Sequence, residues 1–397
     1  MKKLLVLAAG PLQVPIIRRA REMGYYVIAA DANPRAAGLP LADKAFVVDI
    51  CSEEKMLHIA QDEQIDGIIH PCTEVAMNVM GYINDKLQLS GIGLETALRV
   101  TNKHYMREAF RRGDAPSPQS QLCTDADHAW RIFQSMMEGN AILKPTRNSG
   151  SRGVSKVDVG ILKEEFYSRY YTALMESRDN SVVIENFIEG PEFSVEAIVW
   201  HGISHMITVT DKKTTLAPYF VELGHSQPSV HSDDIQQLLY EATEKGIKAL
   251  GIDNCAVHSE LKIQNGQAYI MEIGARLGGD FITTDLTPLS TGIDIVGAAI
   301  RVSMGEAPDL QPKAEGQGVC IRYFTPKPGR LTAIENTHFL KAPYIYDSAI
   351  FCQVGDIIPE VRSSLDRSGY VIVTAPTPQL AIERAENIVE EINLTTN

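Results

Sequence analysis

The chain has 397 residues, 44% of them hydrophobic and 22% charged, an ordinary composition for a globular protein. At roughly 150 residues per domain, that length makes two to three domains with a large buried core. A formal net charge of −13 excludes a broad basic face for nucleic acid, although a local Lys/Arg cluster can still hold an anionic small molecule.

Residues 4–9 (LLVLAA) follow two lysines, but six apolar residues before Gly10-Pro11 make a buried strand rather than a leader. A helix over 12–23 ends at Gly24, and a second strand over 26–31 is closed at Asn33-Pro34. Strands over 45–50 and 67–71 then alternate with helices over about 53–62 and 74–85. This alternation predicts an open parallel sheet with helices on both faces. Only one glycine stands in Gly10-Pro11-Leu12-Gln13-Val14-Pro15 where GxGxxG has three, so a dinucleotide site is disfavoured. Asp31 then reads as a strand-end cap or a contact to another ligand.

Ala115-Pro116-Ser117-Pro118 breaks the pattern. A helix over 125–138, a strand over 141–145, a glycine-rich loop, the strand SKVDV and a helix over 162–177 follow. Strands over 182–188, 192–200 and 202–211 lead into a stretch, 211–229, that reads as long and irregular. After a helix over 232–250, strands NCAVHSELKI and QAYIMEIG meet at Asn265-Gly266. A helix near 292–304, short strands VCIRYF and YVIVTA, and a closing helix over 377–393 complete the chain. The class is α/β followed by α+β. No run approaches the roughly 18 apolar residues of a membrane span. Six scattered cysteines without CxxC read as buried small side chains in a reducing cytoplasm.

Glu260 and Glu272 lie in largely apolar strands, so each needs a partner, and two carboxylates facing one cavity suit Mg²⁺. A two-residue turn at Asn265-Gly266 would pair Glu260 with Met271 and turn Glu272 away. A shared face therefore predicts a three-residue turn that pairs Glu272 with His258, with two solvent-facing glutamates as the alternative. Arg276, four residues beyond Glu272, can grip a carboxylate or phosphate, and Gly278-Gly279 suggests close approach by a ligand or a plain turn. Lys103 stands in the first turn of a helix capped by Thr101 or Asn102, where an anion would explain it as well as plain exposure would. Lys144 ends a strand before the loop Ser149-Gly150-Ser151-Arg152-Gly153, whose N–H groups and hydroxyls suit phosphate, or form a surface turn. In VVIENFIEGPEFSVE, the segment Glu185, Asn186 and Ile188 can meet an adenine edge, and Glu192 can take ribose hydroxyls. His225 lies in the irregular stretch among Lys212, Lys213 and Glu222 and is a weak signal by itself.

In this order the pieces resemble the ATP-grasp superfamily over nearly the whole chain. TGIDIVGAAIRVSMGEAP is similar to the helix after the metal strands of biotin carboxylase and carbamoyl-phosphate synthetase. RSGYVIVTAPTPQLAIERAENIV is similar to the C-terminal segment of carboxylases and purine enzymes. The resemblance implies an N-terminal α/β domain over 1–105, an ATP-grasp domain over 106–310 with a lid over about 118–185, and a small β-rich hybrid-barrel segment over 311–397. It implies ATP and Mg²⁺, with Mn²⁺ as the alternative ion, and an acyl phosphate attacked by an amine. Lys103, Lys144, Ser149, Gly150, Ser151 and Gly153 would bind phosphate, Glu185 to Glu192 the nucleoside, and Glu260 and Glu272 the metal. Arg276 would stabilise the acyl phosphate. Ile273-Gly274-Ala275-Arg276 replaces the Asn-Pro-Arg of many relatives, and Leu277-Gly278-Gly279-Asp280 replaces the biotin carboxylase sequence. With PYFVELGH upstream, the form is most similar to L-amino-acid ligases, in which His225 and Arg276 would line the substrate pocket. The expected substrates are a small-molecule carboxylate and an amine, with no nucleic-acid or membrane partner, and with a homodimer as an option. The alternatives are a purine-pathway ligase of the phosphoribosylglycinamide synthetase or formate-dependent transformylase kind, and a non-catalytic nucleotide-binding regulatory protein.

Overall fold

Successive residues of the first strand point to opposite faces, and both faces are apolar. Leu4 and Val6 pack into one core and Leu5 and Leu7 into another, all fully buried. In the computed structural model, which describes residues 1–136, 139–148, 150–217 and 219–397, this strand (β1, Lys3–Leu7) lies inside a four-stranded parallel sheet. With β2 (Tyr26–Asp31), β3 (Lys44–Val47) and β4 (Gly67–Ile69) the order is β3-β2-β1-β4. Helix α1 (Val14–Glu22) covers one face, and α2 (Glu53–Glu63) and α3 (Met77–Leu87) cover the other. Asp31 is a strand-end cap: its Oδ2 accepts from Ala9 N at 2.8 Å and its Oδ1 from Asn33 N at 2.8 Å. Helices α4 (Leu94–Thr101) and α5 (Lys103–Arg112) lead away from the sheet.

A second, antiparallel sheet, ordered β5-β8-β6-β7, comprises β5 (Ser120–Cys123), β6 (Ala141–Pro145), β7 (Ser155–Val157) and β8 (Val182–Asn186). Helices α6 (Ala126–Met136) and α7 (Lys163–Glu176) close one face through Phe133 and Phe166, stacked at 5.5 Å.

The central sheet has eight strands. It begins with β9 (Glu192–Trp200), β10 (Ile203–Thr214), β11 (Glu222–Gln227), β12 (Cys255–Gln264) and β13 (Gln267–Gly274), with α8 (Asp233–Leu250) packed on it. Helices α9 (Thr287–Thr291) and α10 (Ile295–Ser303) lead to β14 (Gly318–Tyr323), which joins the same sheet beside β11. Strand β15 (Gly329–Glu335) leaves it, β16 (Ile345–Ile350) forms its edge, and β17 (Ile357–Ile358) pairs with β15. β18 (Gly369–Ala375) then inserts between β14 and β16, and β19 (Asn393–Thr396) follows α11 (Pro378–Glu391) to pair with β15.

Two expectations are corrected. The stretch 211–229 is not irregular throughout: β10 runs on to Thr214, and β11, over Glu222–Gln227, returns antiparallel to it. Its inward-facing lysine broke the apolar alternation that marks a strand. The hairpin at Asn265-Gly266 has a two-residue turn, with Gln264 opposite Gln267 and φ of 52° and 75° at the two turn residues. The three-residue turn expected for a shared glutamate face is absent. A β-bulge between Glu260 and Leu261 compensates: Leu261 pairs with Ile270, Glu260 pairs with Glu272, and Met271 is the extra residue. Ile270 and Ile273, three apart, therefore both reach the core, while Met271 and Glu272 line a cleft.

Candidate active site

Helix α5 starts at the cleft because Asn102 caps it, its Oδ1 accepting from His104 N at 3.0 Å and Tyr105 N at 3.2 Å. Lys103 and Arg107, four apart, then share one helix face and both point inward. Lys103 Nζ lies 2.9 Å from Glu272 Oε2 and donates to Asn148 O at 3.2 Å. Burial opposes the lysine charge, but Glu272 outweighs it and raises the pKa above the usual lysine value. Arg107 donates to the bulge carbonyl of Met271 at 2.8 Å.

Strands β6 and β8 bring Lys144 next to Glu185. Lys144 Nζ is 2.8 Å from Glu185 Oε2, and Arg107 Nε is 2.8 Å from Oε1. Glu185 is wholly inaccessible. Burial pushes its carboxyl up, yet Arg107 and Lys144 together hold it at about 2. Lys144 is held below the usual lysine value, because its desolvation outweighs the pull of Glu185. Glu185 thus anchors a lysine in the cleft wall.

Across the central sheet Lys212 lies opposite Glu192, 2% exposed, with Nζ 2.8 Å from Glu260, 2.9 Å from Glu192 and 3.6 Å from Glu222. Three carboxylates outweigh burial and hold it well above the ordinary lysine value. His258 Nδ1 is 2.7 Å from Glu196, and Nε2 is 3.5 Å from Glu260. Desolvation pulls the imidazole down, but Glu196 and Glu260 together raise it to about 9. Burial pushes the Glu260 carboxyl up, but Lys212 first and His258 with it hold it well below the carboxylate range. Arg276 reaches Glu74 of the β4–α3 loop, Nε to Oε1 at 2.7 Å.

One cleft gathers Lys103, Lys144, Arg276, Glu260 and Glu272, with Gly150 and Ser151 on the loop above. Its other end is apolar and aromatic, with Ile188 beside Phe187 and Phe220, whose rings are 5.7 Å apart, and Lys262 Nζ 5.4 Å from the Phe187 ring. Asn186 and Glu192 line that end too. Ser149 lies outside the described residues. Gly153 packs at the loop's root, where a Cβ would meet Glu176 and Pro145 at 2.7 and 2.9 Å. His225 is 1% exposed and lies off the cleft lining, 3.5 Å from Asp280, which Arg367 clamps at 2.6 and 2.9 Å. What approaches Gly278 is protein: a Cβ there would lie 2.7 Å from His258 Nδ1 and 3.0 Å from Glu196.

Glu74, Arg107, Glu196, Lys212 and His258 were missed as site residues. The spacing of Lys103 and Arg107 signals one helix face, and the alternate polar positions Glu192, Ser194 and Glu196 signal an inward polar strand face. Nothing in the sequence links Glu74 to Arg276. Glu260 and Glu272 stand side by side, each against a lysine, and are of the oxygen-donor kind that suits Mg²⁺. Among the described residues no group of three or more His, Cys, Asp or Glu side chains forms a protein-only metal cage. A pair of carboxylates completed by phosphate oxygens and water fits that ion.

The fold so described is the ATP-grasp fold. Residues 137–285 match the ATP-grasp domain, and residues 322–397 match the L-amino acid ligase C-terminal domain 2. A crystal structure of an L-amino acid ligase from Bacillus licheniformis superposes with a TM-score of 0.83 at 18% identity, covering 100% of this chain and 99% of that one. The phosphoribosylglycinamide synthetase of Anaerococcus prevotii gives 0.78 at 25% identity, covering 100% of both. The alanine–anticapsin ligase of Bacillus subtilis is 26% identical over 246 residues, 57% of this chain and 51% of that protein. The chain thus spans about half the length of that curated relative.

Proposed function

We propose that the protein is an ATP- and Mg²⁺-dependent carboxylate–amine ligase that forms an acyl phosphate, releases ADP and phosphate, and joins amino acids. The observation that carries this reading is the pairing of Glu260 with Glu272 across a bulge, facing Lys103, Lys144 and Arg276 in one cleft. In this reading the base lies among Ile188, Phe187 and Phe220, with Asn186 at its edge and Glu192 on the ribose. Lys144 and Lys103, with the N–H groups of Gly150 and Ser151, meet the phosphate oxygens. Glu260 and Glu272 would hold Mg²⁺, which when bound neutralises phosphate charge. A substrate carboxylate oxygen attacks the γ-phosphorus, the bond to the bridging oxygen breaks, and ADP leaves. The amine nitrogen then attacks the acyl carbon, loses its proton, and phosphate departs with the bonding electrons. Arg276, its guanidinium fixed by Glu74, faces the acyl phosphate. The chain's contribution is positioning and fixed charge. His225 has no part in this scheme, because it lies behind the wall with Asp280.

The match of the C-terminal part to an L-amino acid ligase domain and the likeness to alanine–anticapsin ligase support amino acids as substrates. The full-length likeness to a phosphoribosylglycinamide synthetase supports a second reading, glycine joined to a phosphoribosylamine. Phosphate release measured with ATP, Mg²⁺ and pairs of amino acids, with glycine plus phosphoribosylamine as a further pair, separates the two. Release that depends on one amino-acid pair supports the first reading, and release confined to phosphoribosylamine overturns it for the second. Glu272→Gln should lower turnover at least about 100-fold with the melting temperature retained. Full turnover in that variant rejects the metal assignment.

A further inference from the structure

Beside the cleft, sharing Glu74, Asn148 and Glu272 with its wall, a smaller recess is completed by Thr101, Arg147 and Arg178. Arg147 is half-buried and Arg178 exposed, and neither guanidinium has a hydrogen-bond or ion-pair partner among the described residues. The other cations of the region differ: Lys103, Lys144, Lys212 and Arg276 each hold a carboxylate. The acids near the arginines are already engaged. Asp179 accepts from Asn102 at 2.9 Å and Ser177 at 2.8 Å, and also from Thr146, while Glu74 and Glu272 face Arg276 and Lys103.

The arginines rise from a hydrogen-bonded frame. Arg178 N donates to Arg147 O at 3.1 Å, Thr146 N to Ser181 O at 3.1 Å, and Lys103 N to Thr146 O at 2.8 Å. Two guanidinium forks with no carboxylate partner among the described residues, in a chain of net charge −13, match an oxyanion, which a guanidinium takes with two parallel bonds. The recess shares Glu74 and Glu272 with the cleft wall and so lies beside Arg276, which Glu74 holds. That is where a reacting carboxylate lies if the cleft is a ligase site.

We propose that Arg147 and Arg178 form a subsite for an oxyanion carried by the substrate, a phosphate ester or a second carboxylate, distinct from the nucleotide phosphates. The subsite deepens the ligase reading and rests on it for the identity of the neighbouring cleft. Inorganic phosphate and malonate are titrated calorimetrically into the protein, with and without a saturating non-hydrolysable ATP analogue and Mg²⁺. The wild type should bind at least one probe in both states. Arg147→Gln and Arg178→Gln should each weaken it about ten-fold, while analogue affinity stays within about two-fold. Preference for phosphate marks a phosphorylated substrate, and preference for malonate marks a dicarboxylate. Probe binding that is absent from the loaded wild type or unchanged in the variants overturns the subsite, as does equal loss of analogue affinity. A wild type that fails to bind the analogue counts against the nucleotide reading instead, and the analogue-free comparison of wild type and variants then decides the subsite.

Discussion

Glu185 is a carboxylate with no exposure and two cations within 2.8 Å, so its worth depends on all three groups staying together. A buried pair adds little over a hydrophobic isostere, but removing one partner strands the others without water. Glu185→Gln should therefore cost about 3–5 kcal/mol at neutral pH, measured by urea unfolding. The pH dependence follows from the depressed carboxyl, at about 2 against an ordinary 4.5. Between those values the unfolded chain binds a proton that the native one does not, so stability rises with pH in that window. The contribution, on the order of 3 kcal/mol, is complete above the unfolded value and is lost as pH falls from about 4.5 towards 2. Wild-type stability should fall more steeply than that of the variant below pH ~4.5. Parallel curves would remove Glu185 as the cause. Two of the three members were legible: Lys144 and Glu185 stand out as charges in apolar strands. That each is the other's partner was not, because 41 residues separate them and only the β6–β8 ladder brings them together.

At the scale of elements the Glu260–Glu272 pair shows how an expected shared face can form through a local geometry other than the one expected. The residues that turn the hairpin, Asn265 and Gly266, favour the two-residue turn that forms. The irregularity sits instead at Met271, where Ile270 and Ile273 must both reach the core three residues apart. That spacing was readable as a bulge, whereas the Arg107 that satisfies the bulge carbonyl comes from a distant helix. The loop after β13 gives a paired test. An added methyl at Gly278 would press on the His258 imidazole and Glu196, which lock each other in place, whereas Gly279 has open space around its Cβ position. Displacing His258 disturbs Glu260, its neighbour at 3.5 Å. Gly278→Ala should lower turnover at least about ten-fold, in line with the sensitivity of positioned groups, while Gly279→Ala stays near wild type. Equal rates for the two variants would show that the loop's close approach does not hold the carboxylates.

Over the whole molecule, the apolar runs of residues 3–69 were enough to read a parallel sheet, but not what covers it. One face rests on α10, some 290 residues later: Ile295, Ala299 and Ile300 share a core with Leu4, Val6 and Val27. Electrostatic ties follow the same seam, Arg19 to Asp294 at 2.7 Å and Lys2 to Glu306 at 2.9 Å. A Cβ on Gly67 would lie 2.4 Å from Ser303 O, so β4 and the end of α10 fit only through a glycine. Likewise β14 and β18, read from sequence as a separate C-terminal segment, extend the central sheet through β11, because strand pairing carries no local signature of its partner. The first hundred residues are therefore expected to be incomplete by themselves. Each Leu, Val or Ile side chain that α10 no longer covers forgoes about 1.5–3 kcal/mol, and several do so together, against the 5–15 kcal/mol that holds a typical domain. Residues 1–105 expressed alone should bind a hydrophobic dye and show no cooperative thermal transition. Addition of a peptide spanning residues 292–306 in excess should restore a transition. A cooperative, dye-free fragment without the peptide would mean that the sheet folds without its distant helix.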